Sequence, residues 1–366
     1  VNSFQNRKIK FGIVGCGAIG PTHAAALQQM DGVELIAVAD LILDRAQAMA
    51  DKFSVPRIYR DQQQLLKDPE VDVVCLCTPS GMHGEGAIAA MTAGKHVIVE
   101  KPMEICTAAC DRMLAAQRDS GKLMTVISQH RFDPASLHIK NLIQSGKLGK
   151  IILATAEVKW WRTQNYYDEG NWRGTWVLDG GGAVMNQGIH TLDLLQWFAG
   201  EVESVFAHTA TAAHERIEVE DVAVVTLQFK SGAIGSYIAS TAVYDGLPAR
   251  IDIIGTEGTA ILEGDRIRQI RLKNGEIHPG EDAAMHAMKV AGGGTASVAD
   301  QAAKRPAGEK EGAVWGDAHR LQIEDFVRAI RTNGNPAIDG ETGRSAVRTI
   351  EAIYESAEQK MPVKLL

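Results

Sequence analysis

Along the first third of the chain, short unbroken apolar runs alternate with stretches of helical spacing. Residues 10–15, 34–40, 71–77, 96–100 and 123–128 read as strands, and 21–30, 45–52, 84–93 and Thr107–Ser120 read as helices. The run Val73-Val74-Cys75-Leu76-Cys77 is apolar at successive positions. That suits a strand buried on both faces, as in a parallel sheet covered by helices. Strand–helix alternation at this spacing predicts an α/β domain with a doubly wound parallel sheet over residues 1–130.

After about residue 150 the rhythm changes. Residues 151–160, 202–212, 222–230, 233–243, 249–255 and 259–262 read as strands. The turn candidates Lys230-Ser231-Gly232 and Thr256-Glu257-Gly258 separate them. Successive strands with tight turns predict a largely antiparallel sheet, with helices at 184–198, 320–331 and 342–358. Residues 131–366 therefore read as an α+β domain whose late helices pack back on the first. The stretch 277–315 has no clear period and reads as a mobile segment, a lid or an oligomer contact.

Composition narrows the function classes. The chain has 366 residues, 45% hydrophobic and 23% charged, with a net charge of -7. A mildly acidic globular protein has no general pull toward phosphate backbones or anionic lipid, so nucleic-acid and membrane roles are disfavoured. No apolar window reaches membrane-helix length, and residues 1–8 lack the apolar core of a secretion signal. Five scattered cysteines, Cys16, Cys75, Cys77, Cys106 and Cys110, fit reduced thiols in a cytoplasmic protein. No cysteines or histidines stand at metal-ligand spacing, so no metal is expected.

Gly15-Cys16-Gly17-Ala18-Ile19-Gly20 is a complete G-x-G-x-x-G that follows the first strand and opens a helix at Pro21. Gly15 permits the tight turn, Gly17 lets backbone approach a pyrophosphate, and Gly20 allows close helix–strand packing. Ala18 and Ile19 then offer backbone N–H groups at the helix N-terminus. Asp40 closes the second strand, where an acid binds ribose hydroxyls and repels a 2′-phosphate, so NAD is expected over NADP.

The remaining chemistry gathers at strand ends. Thr78, Pro79 and His83 follow the third strand, Glu100-Lys101-Pro102 the fourth, and Gln129 the fifth, all at the edge where such sheets bind ligands. Lys101 reads equally as a working amine or as half of a structural ion pair. Farther on, Gly180-Gly181-Gly182 precedes Asn186, His190 and Asp193, whose spacing puts them on one helix face. His190 reads as a catalytic imidazole or as a core histidine oriented by Asp193.

These motifs, with His319, Gln322, Asp325 and Phe326 on a late helix, resemble in order and spacing the Gfo/Idh/MocA family of sugar and cyclitol dehydrogenases. The resemblance implies a Rossmann domain followed by a domain with a large open, mostly antiparallel sheet. It also implies a homodimer or homotetramer formed through that sheet. It places Lys101 and His190 as catalytic residues and Asn186 where many members carry aspartate, a position that here can hydrogen-bond substrate without acting as a base. Four of the six tryptophans lie within residues 160–176, together with Arg162, Tyr166 and Tyr167. That segment resembles the nucleotide-sugar branch, which oxidises C3 of a UDP-N-acetylated glucuronic acid for polysaccharide biosynthesis. On that reading Arg162 and Tyr166 hold substrate and Trp172 and Arg173 lie near the nicotinamide. An aromatic sheet edge buried at an interface accounts for the same cluster equally well. His190 is expected as the base and Lys101 as the group that orients the hydroxyl and stabilises the alkoxide, the reverse assignment remaining open. Alternative functions are an inositol, free-sugar or cyclic-diol dehydrogenase, and a non-catalytic NAD sensor.

Overall fold

The computed structural model describes Phe4, residues 7–275 and residues 316–365. The segment 277–315, expected to be mobile, lies outside the described residues. The chain divides into two compact units, Val1–Gln129 with Trp315–Val347, and His130–Val314 with Arg348–Leu366.

The first unit holds strands β1 (Ile9–Val14), β2 (Val33–Ala39), β3 (Arg57–Tyr59), β4 (Val73–Leu76), β5 (His96–Val99) and β6 (Met124–Val126). They run in the order β3-β2-β1-β4-β5-β6, every pair parallel. Helices α1 (Gly20–Gln28), α2 (Leu43–Phe53), α3 (Gln62–Leu66), α4 (His83–Thr92) and α5 (Thr107–Ser120) connect them. Phe11, Ile13, Val73, Cys75 and Ile98 are fully buried, which is why these strands read as unbroken apolar runs. The strand order reverses between β1 and β4, and such a switch point opens a crevice at the carboxyl ends of the strands.

The second unit holds α6 (Pro134–Gln144), β7 (Ile151–Lys159), α7 (Gln164–Asp168), a π-helical turn Ala183–Gln187, and α8 (Ile189–Ala199). Strands β8 (Val202–Ala210), β9 (Val222–Phe229), β10 (Ile234–Ser240), β11 (Arg250–Gly255), β12 (Gly258–Glu263) and β13 (Arg266–Leu272) follow. In β9 the alternation of Ala223, Val225, Leu227 and Phe229 inward with Val224, Thr226 and Gln228 outward marks a sheet covered on one face. Helix α8 packs against β7 and β11.

Two late helices return through the fold, α9 (Gly316–Thr332) and α10 (Gly340–Gln359), before a short β14 (Val363–Lys364). The second sheet then reads β13-β12-β11-β7-β10-β9-β8-β14. It is mixed rather than uniformly antiparallel, because its central pair, β7 and β10, is parallel. Helix α9 belongs to the first unit, where Ile323, Phe326, Val327 and Ile330 join the buried core. Its Gln322 works as a substitute strand: the amide donates to Val126 O at 2.8 Å and accepts from Ser128 N at 3.0 Å, closing the open edge of β6.

Candidate active site

In the first unit the glycine loop is shaped for a ligand. Gly15 has φ +96°, and a Cβ there would lie 2.4 Å from Cys77 O. A Cβ on Gly20 would lie 2.4 Å from Gly15 O, whereas one on Gly17 would meet nothing within 4 Å. So Gly15 and Gly20 serve the turn, while the space over Gly17 is open to an incoming group. Ala18 and Ile19 lead into α1, with Pro21 in its first turn. Asp40 accepts Cys16 N through Oδ2 and Ile42 N through Oδ1, each at 2.8 Å, so its carboxylate is fixed before any ribose arrives. Burial pushes the Cys16 thiol up to about 12, which removes it as a nucleophile.

Two buried acceptors, Thr78 Oγ1 and Gln129 Oε1, have no hydrogen-bond partner among the described residues. Orphaned buried polar atoms are uncommon. Their places after β4 and β6 suit a polar dinucleotide. The fully buried His83 places Nδ1 2.8 Å from Pro102 O and Nε2 2.9 Å from Thr78 O, tying the turn after β4 to the turn after β5. Pro79 precedes the 3₁₀ turn Ser80–Met82 that leads to it. Glu100 faces inward: Oε1 lies 2.7 Å from His23 Nε2 and 3.7 Å from His319 Nε2, and Oε2 accepts Lys101 N at 3.1 Å. Burial opposes its charge, but the two imidazoles outweigh burial and hold the carboxyl well below its usual range.

In the second unit the triple glycine leads into a network of hydrogen-bonded side chains. The single helix expected over 184–198 is broken. The turn Ala183–Gln187 closes a wider ring, Gly188 N bonding Ala183 O at 2.8 Å, before α8 begins at Ile189. The reason is a buried acid that the sequence reading missed. Glu220 accepts Val184 N at 2.8 Å and Gly182 N at 3.0 Å, and Tyr354 donates to it at 3.1 Å. Burial pushes Glu220 up to about 7 despite these bonds. A Cβ on Gly182 would sit 1.8 Å from Glu220 O, which accounts for a glycine there.

Asn186 Nδ2 donates to Asp179 Oδ1 at 2.5 Å, and its Oδ1 accepts Gln187 Nε2 at 3.2 Å. Gln187 also donates to Tyr166 Oη at 2.8 Å and accepts Arg162 Nη2 at 2.8 Å. Arg162 is 5% exposed and meets no carboxylate among the described residues, and its Nε has no partner. Arg173 Nε is likewise unpartnered, and both guanidinium groups stand over the Tyr166 ring, at 5.4 and 4.6 Å. Trp172 stacks on Arg173 at 5.3 Å. Both arginines of the segment therefore pack on its aromatic rings.

Asp193 accepts Arg131 Nε and Nη2 on its two oxygens, at 2.7 and 2.6 Å. The rings of His190 and His130 meet edge-on at 5.1 Å. Burial would lower the pKa of His130, but Asp265, Asp133 and Asp193 raise it to about 9. The His-Arg-Phe-Asp run at 130–133 carries no sequence motif, and neither Asp265 nor Glu220 is near it in the chain, so only the fold reveals this pairing of charges.

A six-stranded parallel sheet with a glycine fingerprint between β1 and α1 and an acid just after β2 fits a nicotinamide-dependent dehydrogenase. Residues 9–128 match the family model "Oxidoreductase family, NAD-binding Rossmann fold", and 140–365 match "Oxidoreductase family, C-terminal alpha/beta domain". The chain belongs to the Gfo/Idh/MocA oxidoreductase family. It is similar to the WlbA dehydrogenase of Bordetella pertussis, solved with NADH and UDP-GlcNAcA, at 34% identity and TM-score 0.86 over 99% of each chain. The WlbA dehydrogenase of Chromobacterium violaceum, solved with the same ligands, is 33% identical with TM-score 0.85, over 99% of this chain and 97% of that one. Myo-inositol 2-dehydrogenase of Thermotoga maritima is 27% identical over 98% of both chains. The chain is an NAD-dependent oxidoreductase acting on a CH–OH group of a sugar or polyol.

Proposed function

We propose that the substrate is a UDP-N-acetylated glucuronic acid and that C3 of the sugar is oxidised. The observation that carries this reading is Arg162, a buried guanidinium with an unpartnered Nε and no carboxylate beside it among the described residues. A buried arginine lacking an anion is costly, and a sugar carboxylate satisfies its fork. The UDP-GlcNAcA bound by both WlbA neighbours supports it.

NAD⁺, when bound over Gly15, Gly17, Ala18, Ile19 and Asp40, supplies the hydride acceptor. His190 takes the hydroxyl proton as general base, and Lys101 orients the hydroxyl and stabilises the developing alkoxide. Asn186, held by Asp179, hydrogen-bonds a substrate hydroxyl; as an amide it takes no proton. Arg162 and Tyr166 hold the acid end, while Thr78, Pro79, His83, Glu100, Gln129, Trp172 and Arg173 shape or flank the nicotinamide side.

A second reading, an inositol or free-sugar dehydrogenase, is favoured by the full-length similarity to the Thermotoga enzyme. Rates of NADH formation with UDP-GlcNAcA, UDP-GlcNAc and myo-inositol separate the two. A charged hydrogen bond of ~1.5–3 kcal/mol gives the acid at least a ~10-fold advantage in kcat/KM over UDP-GlcNAc. Preference for myo-inositol refutes the proposal. Free thiols at Cys16, Cys75, Cys77, Cys106 and Cys110 support a cytoplasmic setting. The outer sheet face, where Ile234 pairs with Leu153 and both are exposed, supports assembly with a second copy.

A further inference from the structure

Glu100, on the nicotinamide side, is held in a buried cluster by His23 and His319, two imidazoles that the chemistry just described does not use. All three are nearly inaccessible, at 0%, 5% and 1% exposure. They come from different elements of the first unit: His23 from α1, Glu100 from the end of β5, and His319 from α9. The rings of His23 and His319 meet edge-on at 5.6 Å, and each turns Nε2 toward Glu100 Oε1, at 2.7 and 3.7 Å. The other carboxylate oxygen accepts the backbone N–H of Lys101 at 3.1 Å. One carboxylate therefore connects the helix that opens on the glycine loop, a helix from the end of the chain, and the main chain of the lysine.

We propose that His23 and His319 are positioning residues for hydride transfer, acting through Glu100 to fix the backbone of Lys101 relative to the phosphate-binding helix α1. The chemistry suits such a clamp. A buried carboxylate persists as an anion only when its charge is answered, and two imidazoles answer it on one oxygen while the other stays committed to the main chain. Loss of either imidazole frees Glu100 to turn, and the turn at Lys101 loses its anchor while the glycine loop stays whole. This rests on Lys101 acting at the reacting alcohol.

The variants His319→Gln, Glu100→Gln, their double and Lys101→Ala are compared with wild type. Three quantities are read: NADH affinity by fluorescence, melting temperature, and single-turnover NADH formation at saturating NAD⁺ and sugar. His23→Gln, at a fully inaccessible position, is added as a second imidazole variant. The clamp predicts a loss of ~10-fold or more in single-turnover rate for His319→Gln and Glu100→Gln, as expected for misplacing a reacting group. NADH affinity of His319→Gln stays within threefold. The double variant is no slower than Glu100→Gln alone within threefold, because residues that act through one another are not additive. Unchanged single-turnover rates in both single variants overturn the proposal, as do losses that multiply in the double. A stoichiometric zinc or iron ion in the purified protein also overturns it, by making the three side chains ligands. Full rate in Lys101→Ala overturns the role of Lys101 and this inference with it. Loss in Lys101→Ala alone overturns only the clamp.

Discussion

Replacing Arg162 with alanine tests the acid-binding reading at its weakest-looking point, a positive charge buried where an apolar side chain would be expected. Its guanidinium donates to Trp161 O at 3.0 Å and Gln187 Oε1 at 2.8 Å, both neutral acceptors. One edge therefore remains for a ligand. A hydrogen bond to a charged group contributes ~1.5–3 kcal/mol, and losing one partner of a buried charged pair costs ~2–5 kcal/mol. At ~1.4 kcal/mol per factor of ten, KM for UDP-GlcNAcA should rise ~30-fold or more, with NADH affinity unchanged. Arg162→Lys keeps a charge but loses the fork and should recover only part of the loss. Steady-state kinetics with UDP-GlcNAcA and neutral UDP-GlcNAc provide the assay. The neutral sugar should lose less than threefold. An unchanged KM for the acid, or equal losses for both sugars, refutes the reasoning.

Gly17→Ala should fold normally, since a Cβ there meets nothing within 4 Å, yet weaken NADH binding ~10-fold or more by occupying phosphate space; fluorescence titration checks this. Gly15→Ala, with its Cβ 2.4 Å from Cys77 O at φ +96°, should instead lower the melting temperature. Asp40→Ala should raise KM for NAD⁺ ~10-fold and narrow its advantage over NADP⁺, read as a ratio of kcat/KM values. His130, raised to about 9 by Asp265, Asp133 and Asp193 against the effect of burial, stabilises the folded chain fully below pH ~6.5 and loses that contribution as pH climbs through 9. His130→Gln should therefore cost roughly 3 kcal/mol at pH 6 and little at pH 10 by urea denaturation, and equal costs at both would contradict the ion pairing.

The Rossmann unit was legible because its signals are local. Apolar runs, a glycine fingerprint and a strand-end acid each lie within one stretch of chain, and each held its place in the structure. Strand β3, only three residues long, and β13, whose Arg-Ile-Arg-Gln-Ile-Arg alternation reads as charge, were not singled out. The second sheet was read as largely antiparallel because its consecutive strands are joined by tight turns. The parallel β7–β10 pairing at its centre joins strands far apart in sequence. At the site, candidate residues could be named from the chain but their connections could not. The π-turn before His190 depends on Glu220, more than thirty positions downstream. Asp193 pairs with Arg131, 62 residues earlier, a partner that helical spacing does not suggest. Charge networks assembled from separate elements leave no periodic trace, so only the fold exposes them.

The central claim is that a hydride leaves C3 of a sugar acid for the nicotinamide. UDP-GlcNAcA deuterated at C3 tests it directly, by mass spectrometry of the reduced cofactor after a single turnover. Deuterated cofactor, formed with a primary isotope effect on the single-turnover rate, is the predicted result. Unlabelled NADH from the C3-deuterated sugar, or no turnover of this sugar beside rapid oxidation of myo-inositol, would contradict the account.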